Sequence, residues 1–559
     1  MHALLESMKQ KIQSGLKRRA VSSCSVWAET YRVMGTPYPG PWTFRHHPWL
    51  RDMHDFESEM MVGQKSAQMG YTETALNLAF YYIDIRNADV LYVLPSKTPD
   101  ASDFSASRFD GALDLSPHLE DMFSDVKNVG HKRAGSTNLY VRGSKSRSGL
   151  KSIPVGLVIL DEVDEFDQEN IPLAMERLSG QIEKKKVLLS TPTIEEVGIN
   201  KYFVLTTQEH FFFICPHCSR RTELIFPDCL VIAAESLEDQ RLKDSHLICK
   251  ECKKRLDHES KSEWLATGVW VPSYTDKDDR GFYINQLYSC TVSPVDVATK
   301  YLESLRDPAA EQEFWNGKMG LPHAVEGSRI TDADIDRCRE NSTYCKGDPA
   351  PTGIITMGVD VGKMLHVEID QWFLPPSYAG SVDLNVQARC KVINMLKVKD
   401  FEDLDPLMRQ YRVLVCVIDS QPEHRKSYEF ASRFWGNVKL CVYGRGINGK
   451  QIVVGRDDHG QIVDEHLVTV DRTSWLDLSL GRFRNKGMLI LPVDVPTEYR
   501  EHLKALVRVY SKDVDGNPVG RYEKGEQRPD HYAHARNYSE IALPFAASFN
   551  RSQDIRGVT

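Results

Sequence analysis

The chain has 559 residues, 41% of them hydrophobic and 26% charged. That length suits about three to four domains and excludes a disordered, collagenous or disulfide-stapled protein. Its 70 basic and 78 acidic side chains give a formal charge of -8. This excludes a protein that coats nucleic acid by bulk charge, yet a local basic channel is allowed because screening confines each charge to about 8–10 Å.

The 12 cysteines include two C-x-x-C pairs, and the rest are scattered singly. In a long chain this pattern indicates a reducing compartment and one metal site. The N-terminus has no secretory apolar run, and no window approaches the ~18–20 apolar residues of a membrane span. A soluble, intracellular protein is expected.

Residues 1–55 form an N-terminal segment. Lys9, Lys11, Lys17, Arg18 and Arg19 predict a solvated basic helix at its start. From 56 to 209 short apolar strands alternate with helices: Met60–Val62, a helical run Glu73–Ile85, then Val90–Leu94, Val155–Leu160 and Val187–Leu189. Such strands predict a parallel sheet covered on both faces. Residues 210–256 turn aromatic, Cys- and Lys-rich. A helical subdomain over 257–330 completes the first α/β region, and the polar stretch 331–352 is taken as a linker. Residues 353–559 open with strands in quick succession, Ile354–Val359 and Leu365–Ile369, then Val386–Ile393, Val413–Ile418 and Val438–Val442. Helices are expected over Phe401–Gln410 and Arg425–Phe434. The fold class is α/β.

Three constellations carry chemistry. The first is a strand ending at Gln64, then Lys65, Ser66, Ala67, Gln68, Met69, Gly70, Tyr71 and Thr72, then a helix. Gly70 and Thr72 fit the last glycine and the Mg²⁺-binding hydroxyl of a phosphate-binding loop. Tyr71 stands where the lysine belongs, and Lys65 stands at the first glycine. A lysine there can still reach the β/γ-phosphates of ATP, while backbone N–H groups face them at the helix N-terminus. Downstream, Gly156–Leu160 is an apolar run ending in Asp161-Glu162. A strand-end Asp suits Mg²⁺, and the adjacent Glu suits a water-activating base. Ser190-Thr191-Pro192-Thr193 lies where motors carry a hydroxyl-rich coupling motif. Arg142, Arg147 and Lys151 are candidates for the cation that touches the transferring phosphate, with no choice among them.

The second is Cys215-Pro-His-Cys218 with Cys249-Lys-Glu-Cys252. Four thiolates in two knuckles suit tetrahedral Zn²⁺ with no open position, hence a structural zinc ribbon. The third is three carboxylates: Asp360 at a strand end with Gly362 after it, Asp419 at the end of Val413–Ile418, and Asp530 at a helix start. Two-metal phosphodiesterases need such a set, with Mg²⁺ or Mn²⁺ preferred by oxygen donors. Glu368, Glu423 and His534 are candidate fourth ligands or supporting groups. His366 and His424 are read as surface residues.

The Lys-first loop QKSAQMGYT, the LDE strand, the CPHC and CKEC pairs, GFYINQLYS (281–289), FWNGKMGLP (314–322), GVDVG and PDHYAHA follow in order. Together they resemble the lambda-type large terminase subunit of tailed bacteriophages. The resemblance spans residues 40 to 545. It implies a DNA-packaging motor with a P-loop, helicase-like ATPase domain, an inserted zinc ribbon and an RNase H-like nuclease. It implies ATP, Mg²⁺ or Mn²⁺ and Zn²⁺ as cofactors. Its implied partners are double-stranded DNA, the procapsid portal, the small terminase subunit and further copies in a ring, in the host cytoplasm and with no membrane. By the family pattern Lys65, Ser66, Gly70, Tyr71 and Thr72 serve the nucleotide, Asp161 its Mg²⁺, and Glu162 is the base. Asp360, Asp419 and Asp530 are the nuclease carboxylates. His534 departs from the family's further Asp, and no adenine-contact segment is recognisable. A cellular helicase–nuclease is the alternative, and a zinc-ribbon scaffold with a degenerate ATP site is a third reading.

Overall fold

The computed structural model describes residues 23–556 except 124–125, 152, 375–383, 445–446, 448, 457–461, 513–517 and 526–527. The basic N-terminal helix lies outside the described residues. The chain divides into two compact units, Met1–Val325 with Tyr510–Val519 and Glu326–Val509 with Gly520–Thr559. No described helix is long and apolar enough to cross a membrane.

The first unit is built on an 11-stranded sheet. Its strands in chain order include β1 (Met60–Lys65), β2 (Val90–Leu94), β3 (Val126–Asn128), β4 (His131–Ala134), β5 (Thr137–Gly143), β6 (Leu157–Asp161), β7 (Lys185–Ser190), β8 (Glu209–Ile214), β9 (Val269–Pro272) and β10 (Arg280–Ile284). The spatial order β8-β10-β1-β7-β6-β2-β5 is parallel throughout. β4 and β3 extend it antiparallel beyond β5. Residues of β2 and β6 are buried along their whole length, as strands covered on both faces require. The helix α1 (Tyr71–Asp84) follows β1 and is buried on most sides.

Two expected boundaries look different in three dimensions. β8 falls at the start of the segment expected to be a separate ribbon, and it is a strand of the main sheet. The ribbon's first knuckle therefore hangs from the central sheet. The stretch 331–352 contains a helix, α2 (Asp332–Arg339), closed by a capping box between Thr331 and Asp334, and it belongs to the second unit.

The second unit holds an 8-stranded sheet. Its strands are β11 (Ile354–Val361), β12 (Leu365–Phe373), β13 (Arg389–Val398), β14 (Val415–Asp419), β15 (Val438–Tyr443), β16 (Ile452–Arg456), β17 (Ile462–Val470) and β18 (Leu489–Ile490). β11, β12 and β13 form an antiparallel meander. β14 and β15 then run parallel beside β11. Two helices matter to the site, α3 (Thr497–Lys504) and α4 (His531–Arg556).

α4 crosses β11, β12 and β14. Gly358 of β11 makes this possible: a Cβ there would lie 1.9 Å from the Ala535 carbonyl oxygen and 2.3 Å from the Ser539 nitrogen. Buried polar contacts fix the register. Thr356 and Ser539 hydroxyls meet at 2.7 Å, and Arg536 Nη1 lies 2.6 Å from Glu368 Oε1. Removing one partner of such a buried ion pair costs about 3–5 kcal/mol. Gly358→Ala must push α4 off the sheet, so a loss at or above the upper end of about 1–3 kcal/mol is expected, read as a lowered Tm in thermal denaturation.

Candidate active sites

The first site lies where β1 meets α1. Gly70 adopts a left-handed backbone and starts the helix. The loop is held from beneath by two segments whose role the sequence left open. Ser66 N–H donates to the Ile284 carbonyl (3.0 Å) and Ala67 N–H to that of Gly317 (2.8 Å). Gln286 Nε2 donates to the Ala67 carbonyl and Gln64 Nε2 to that of Gly320. Gly320 has a φ of +64° and approaches so closely that a Cβ would meet Ser66 N at 2.6 Å. Residues 68–72 line the cavity at the start of this helix, and the unpaired amides of a helix N-terminus suit an anion.

The acid pair meets this loop from β6, one strand beyond β7. Asp161 Oδ2 accepts from Thr72 Oγ1 (3.1 Å) and Tyr92 OH (2.7 Å). Glu162 has a φ of +64° and lies 3.4 Å from Lys65 Nζ. Burial pushes the Asp161 carboxyl up to about 6, Glu162 adds to this, and Lys65, Tyr92 and Thr72 oppose it. Asp161 Oδ1 and Ser66 Oγ are buried without a hydrogen-bond partner. Oxygen donors left unsatisfied beside a lysine fit a Mg²⁺-phosphate group.

A cavity of about 780 Å³ opens here, lined by Lys65, Thr72, Glu162, Thr191 and Arg108. Its other wall is Thr36, Pro37, Tyr38, Trp42, His46 and His47. Tyr38 and His46 stack at 4.0 Å. This is a base-sized aromatic wall, and no sequence pattern marks it. Of the expected cations, Arg142, Arg147 and Lys151 are not among the cavity's lining residues. Arg142 instead binds the Val141 carbonyl at 3.0 Å and lines a separate cavity. Arg108 is the arginine that lines the first, 3.5 Å from Glu73.

Tyr71 departs from its expected place. Its side chain is 1% exposed and its hydroxyl points at the Phe282 carbonyl, 3.5 Å away. It is a core residue beneath Gly63, and only its backbone belongs to the loop. Ser190-Thr191-Pro192-Thr193 is tied to Asp164, three residues beyond Asp161, and to the loop's support. Thr193 N–H donates to Asp164 Oδ2 (2.7 Å), and the Thr193 carbonyl accepts from Asn316 Nδ2 (2.9 Å) and His323 N–H (3.1 Å).

The four cysteines converge. The sulfurs of Cys215, Cys218, Cys249 and Cys252 lie within 4.8 Å of one another. Each pair is a matching knuckle: His217 N–H and Glu251 N–H donate to Cys215 and Cys249 sulfurs at 3.4 Å. His217 turns away, its Nε2 2.8 Å from the Arg255 carbonyl. Burial pushes the Cys215 thiol up to about 12. An all-sulfur, closed donor set of this kind fits a structural d¹⁰ cation.

In the second unit Val359 and Ile418 pair across β11 and β14, so Asp360 and Asp419 follow side by side. Burial pushes Asp419 up to about 6, and the neighbouring Asp360 charge adds to it. Asp530 precedes α4. Burial alone would raise it, but His534 at 3.1 Å and the Lys524 ammonium hold it well below the usual carboxylate range. His534 also meets Tyr443 OH at 3.0 Å, so it braces Asp530.

Histidines complete the arrangement. His531 Nδ1 lies 2.8 Å from Asp360 Oδ2, and that contact raises the His531 pKa. His366, read from sequence as a surface residue, is 6% exposed and stacks on His531 at 4.5 Å. It faces Asp360 because the two are direct partners across β11 and β12. Asp360, His366 and His531 bring ligand atoms within 4.8 Å of one another. Glu368 is fully buried, with Oε1 on Arg536 and Oε2 without a hydrogen-bond partner. Glu423 is exposed and pairs with Lys426, and His424 is exposed as expected.

Two family descriptions match the chain: "Phage terminase large subunit gpA, ATPase domain" over residues 36–270 and "Terminase large subunit gpA, endonuclease domain" over 279–553. The terminase large subunit of Enterobacteria phage P21 is 24% identical over 341 residues, covering 53% of this chain and 51% of that protein. That of Escherichia phage lambda is 21% identical over 345 residues, covering 55% and 53%. The chain thus spans about half the length of the curated relatives it matches. Among solved structures, the HK97 bacteriophage large terminase aligns with 93% of this chain and 99% of its own, at 11% identity and a TM-score of 0.49. With an ATPase-domain match followed by an endonuclease-domain match over nearly its whole length, the chain belongs to the phage terminase large-subunit family.

Proposed function

We propose that this chain is the motor and cutting subunit of a DNA-packaging machine. ATP hydrolysis in the first unit drives double-stranded DNA through a portal into a procapsid, and the second unit cuts the concatemer. The observation that carries this reading is the pairing, in one chain, of an Asp-Glu strand end aimed at a phosphate-type loop with a separate cluster of strand-end carboxylates.

In the first unit Lys65, Ser66, Gly70 and Thr72 hold the phosphates as a P-loop does, with the Tyr71 contribution limited to its backbone. Asp161 and Thr72 would hold Mg²⁺, which would supply charge neutralisation to the transferring phosphate. Glu162 orients water and takes its proton, and the Tyr38–His46 side receives the base. In the second unit the meander followed by parallel strands supports an RNase H-like reading. There Asp360, Asp419 and Asp530 hold Mg²⁺ or Mn²⁺, which stabilises attacking and leaving oxygens when bound. The four cysteines hold Zn²⁺ as a cross-link. A ring of copies, the portal and the small subunit are the proposed partners, acting in the host cytoplasm.

The test is one preparation of the full chain assayed twice. ATP turnover stimulated by duplex DNA, together with Mn²⁺-dependent cutting of plasmid DNA, is expected. A preparation that folds and binds ATP but cuts nothing with either metal would sink the nuclease half. For the ribbon, Cys249→Ser is expected to lose one zinc per chain by atomic absorption and to lower the Tm, because an open three-thiolate site binds far more weakly.

A further inference from the structure

Beside the nuclease carboxylates lies a second set of donors with its own geometry. His366 comes from β12, and Glu498 and His502 from α3, spaced i and i+4 so that both project from one helix face. Their ligand atoms lie within 4.8 Å of one another. His502 Nε2 is 3.9 Å from Glu498 Oε1. The His366 and His502 rings lie 5.3 Å apart.

Independent observations point to a ligand. His366 is almost wholly buried, yet its Nδ1 makes no hydrogen bond. An orphaned ring nitrogen in a packed interior calls for a partner. The other ring nitrogens are already committed in ways that leave the cluster open. His502 Nδ1 accepts from Tyr532 N–H (3.3 Å), which directs its Nε2 toward Glu498. His531 Nδ1 is engaged with Asp360. The competing group is Lys397, 2.8 Å from Glu498 Oε1. Both partners of that pair are substantially exposed, and such pairs are worth roughly 0–1 kcal/mol, so Lys397 yields at little cost.

We propose that His366, Glu498 and His502 form a cation site for an imidazole-preferring ion of the Zn²⁺, Co²⁺ or Ni²⁺ class, adjoining the carboxylate centre, whose Asp360 and His531 also approach His366. Two imidazoles and a carboxylate select such ions over Mg²⁺, which favours all-oxygen sets. Donors around one tetrahedral ion at about 2.0–2.2 Å lie closer together than those here, and rotation of the exposed Glu498 side chain closes the set. An ion there ties α3 to the strand that faces Asp360. It thereby braces His531, and with it the start of α4, from behind.

The experiment titrates Co²⁺ into the full chain after the four-cysteine site has been filled with Zn²⁺. Weak visible absorption of nitrogen- and oxygen-bound cobalt is expected, without the intense thiolate charge-transfer band. Glu498→Ala is a surface change that folding tolerates, and His502→Gln removes a ring. Each should weaken Co²⁺ binding by more than about tenfold, since changes to groups that only support a metal's ligands already cost about 10–100-fold. Asp419→Asn, which strikes the carboxylate centre, should leave this binding in place. Co²⁺ affinity unmoved by Glu498→Ala and His502→Gln, or binding that vanishes with Asp419→Asn, would overturn the site. Failure of the nuclease reading has its own signature, plasmid cutting that survives Asp419→Asn.

Discussion

Glu162→Gln is expected to lower ATP turnover about 10²–10⁴-fold while Mn²⁺-dependent DNA cutting continues. The magnitude is that of a positioned general base. The geometry makes the effect chemical rather than structural. The Glu162 side chain is 43% exposed, and its pair with Lys65 is long at 3.4 Å. Lys65 is buried, its side chain 7% exposed, but the glutamine carbonyl can still accept from its ammonium and no buried side chain is shortened, so the variant is expected to fold. Nucleotide binding persists because Thr72, Asp161 and the loop are untouched. Phosphate release and nucleotide binding measured on the same sample separate the two. Turnover at the unaltered rate would remove Glu162 from the role of base.

Asp360→Asn has the opposite profile. Asp360 is buried, and its neighbours are Asp419 on the next strand, His366 across the ladder and His531 at 2.8 Å. The amide keeps the shape and loses the charge that a metal requires. Several kcal/mol of charge stabilisation corresponds to about 10²–10⁴-fold in cutting rate. ATP turnover should stay intact. The assay belongs on the alkaline side of the raised His531 value, for a reason with a definite sign. Asp360 raises the His531 pKa, so the pair's contribution to stability is full below the imidazole's unfolded value of about 6.5 and is lost as pH rises through the raised one. Above that window the variant and the parent differ in chemistry more than in folding.

Much of both sites was legible because their acids end apolar strands. Asp161, Asp360 and Asp419 each follow a short apolar run of strand length; singly such an acid is usually a cap, and it is the company each keeps, the phosphate loop for Asp161 and the other nuclease carboxylates for Asp360 and Asp419, that marks the sites. The C-x-x-C pairs were legible because a thiolate knuckle is local. What escaped was assembled over distance. His366 reads as an ordinary strand histidine until β11 pairs with β12 and α4 seals the face. Tyr38 and His46 lie in an irregular segment with no period. Tyr71 misled because its motif position predicts a phosphate contact while its size and apolarity suit the core. Arg108 has no motif at all. β3, β4 and β5 escaped because their alternating polar residues dilute the strand signal. In the stretch 331–352, the capping box of Thr331 and Asp334 was outweighed by overall polarity.

The grip of residues 284–320 on the phosphate loop bears on how this protein can be divided. Domain matching suggests a fragment ending at residue 270. Such a fragment lacks β10, the direct neighbour of β1. It would strip hydrogen-bond partners from Ser66 and Ala67 and expose the backbone edge of the sheet's most important strand, an invitation to self-association. A fragment carried through Val325 keeps every one of those contacts. The smallest catalytic piece is therefore set by loop support that arrives more than two hundred positions after the loop itself.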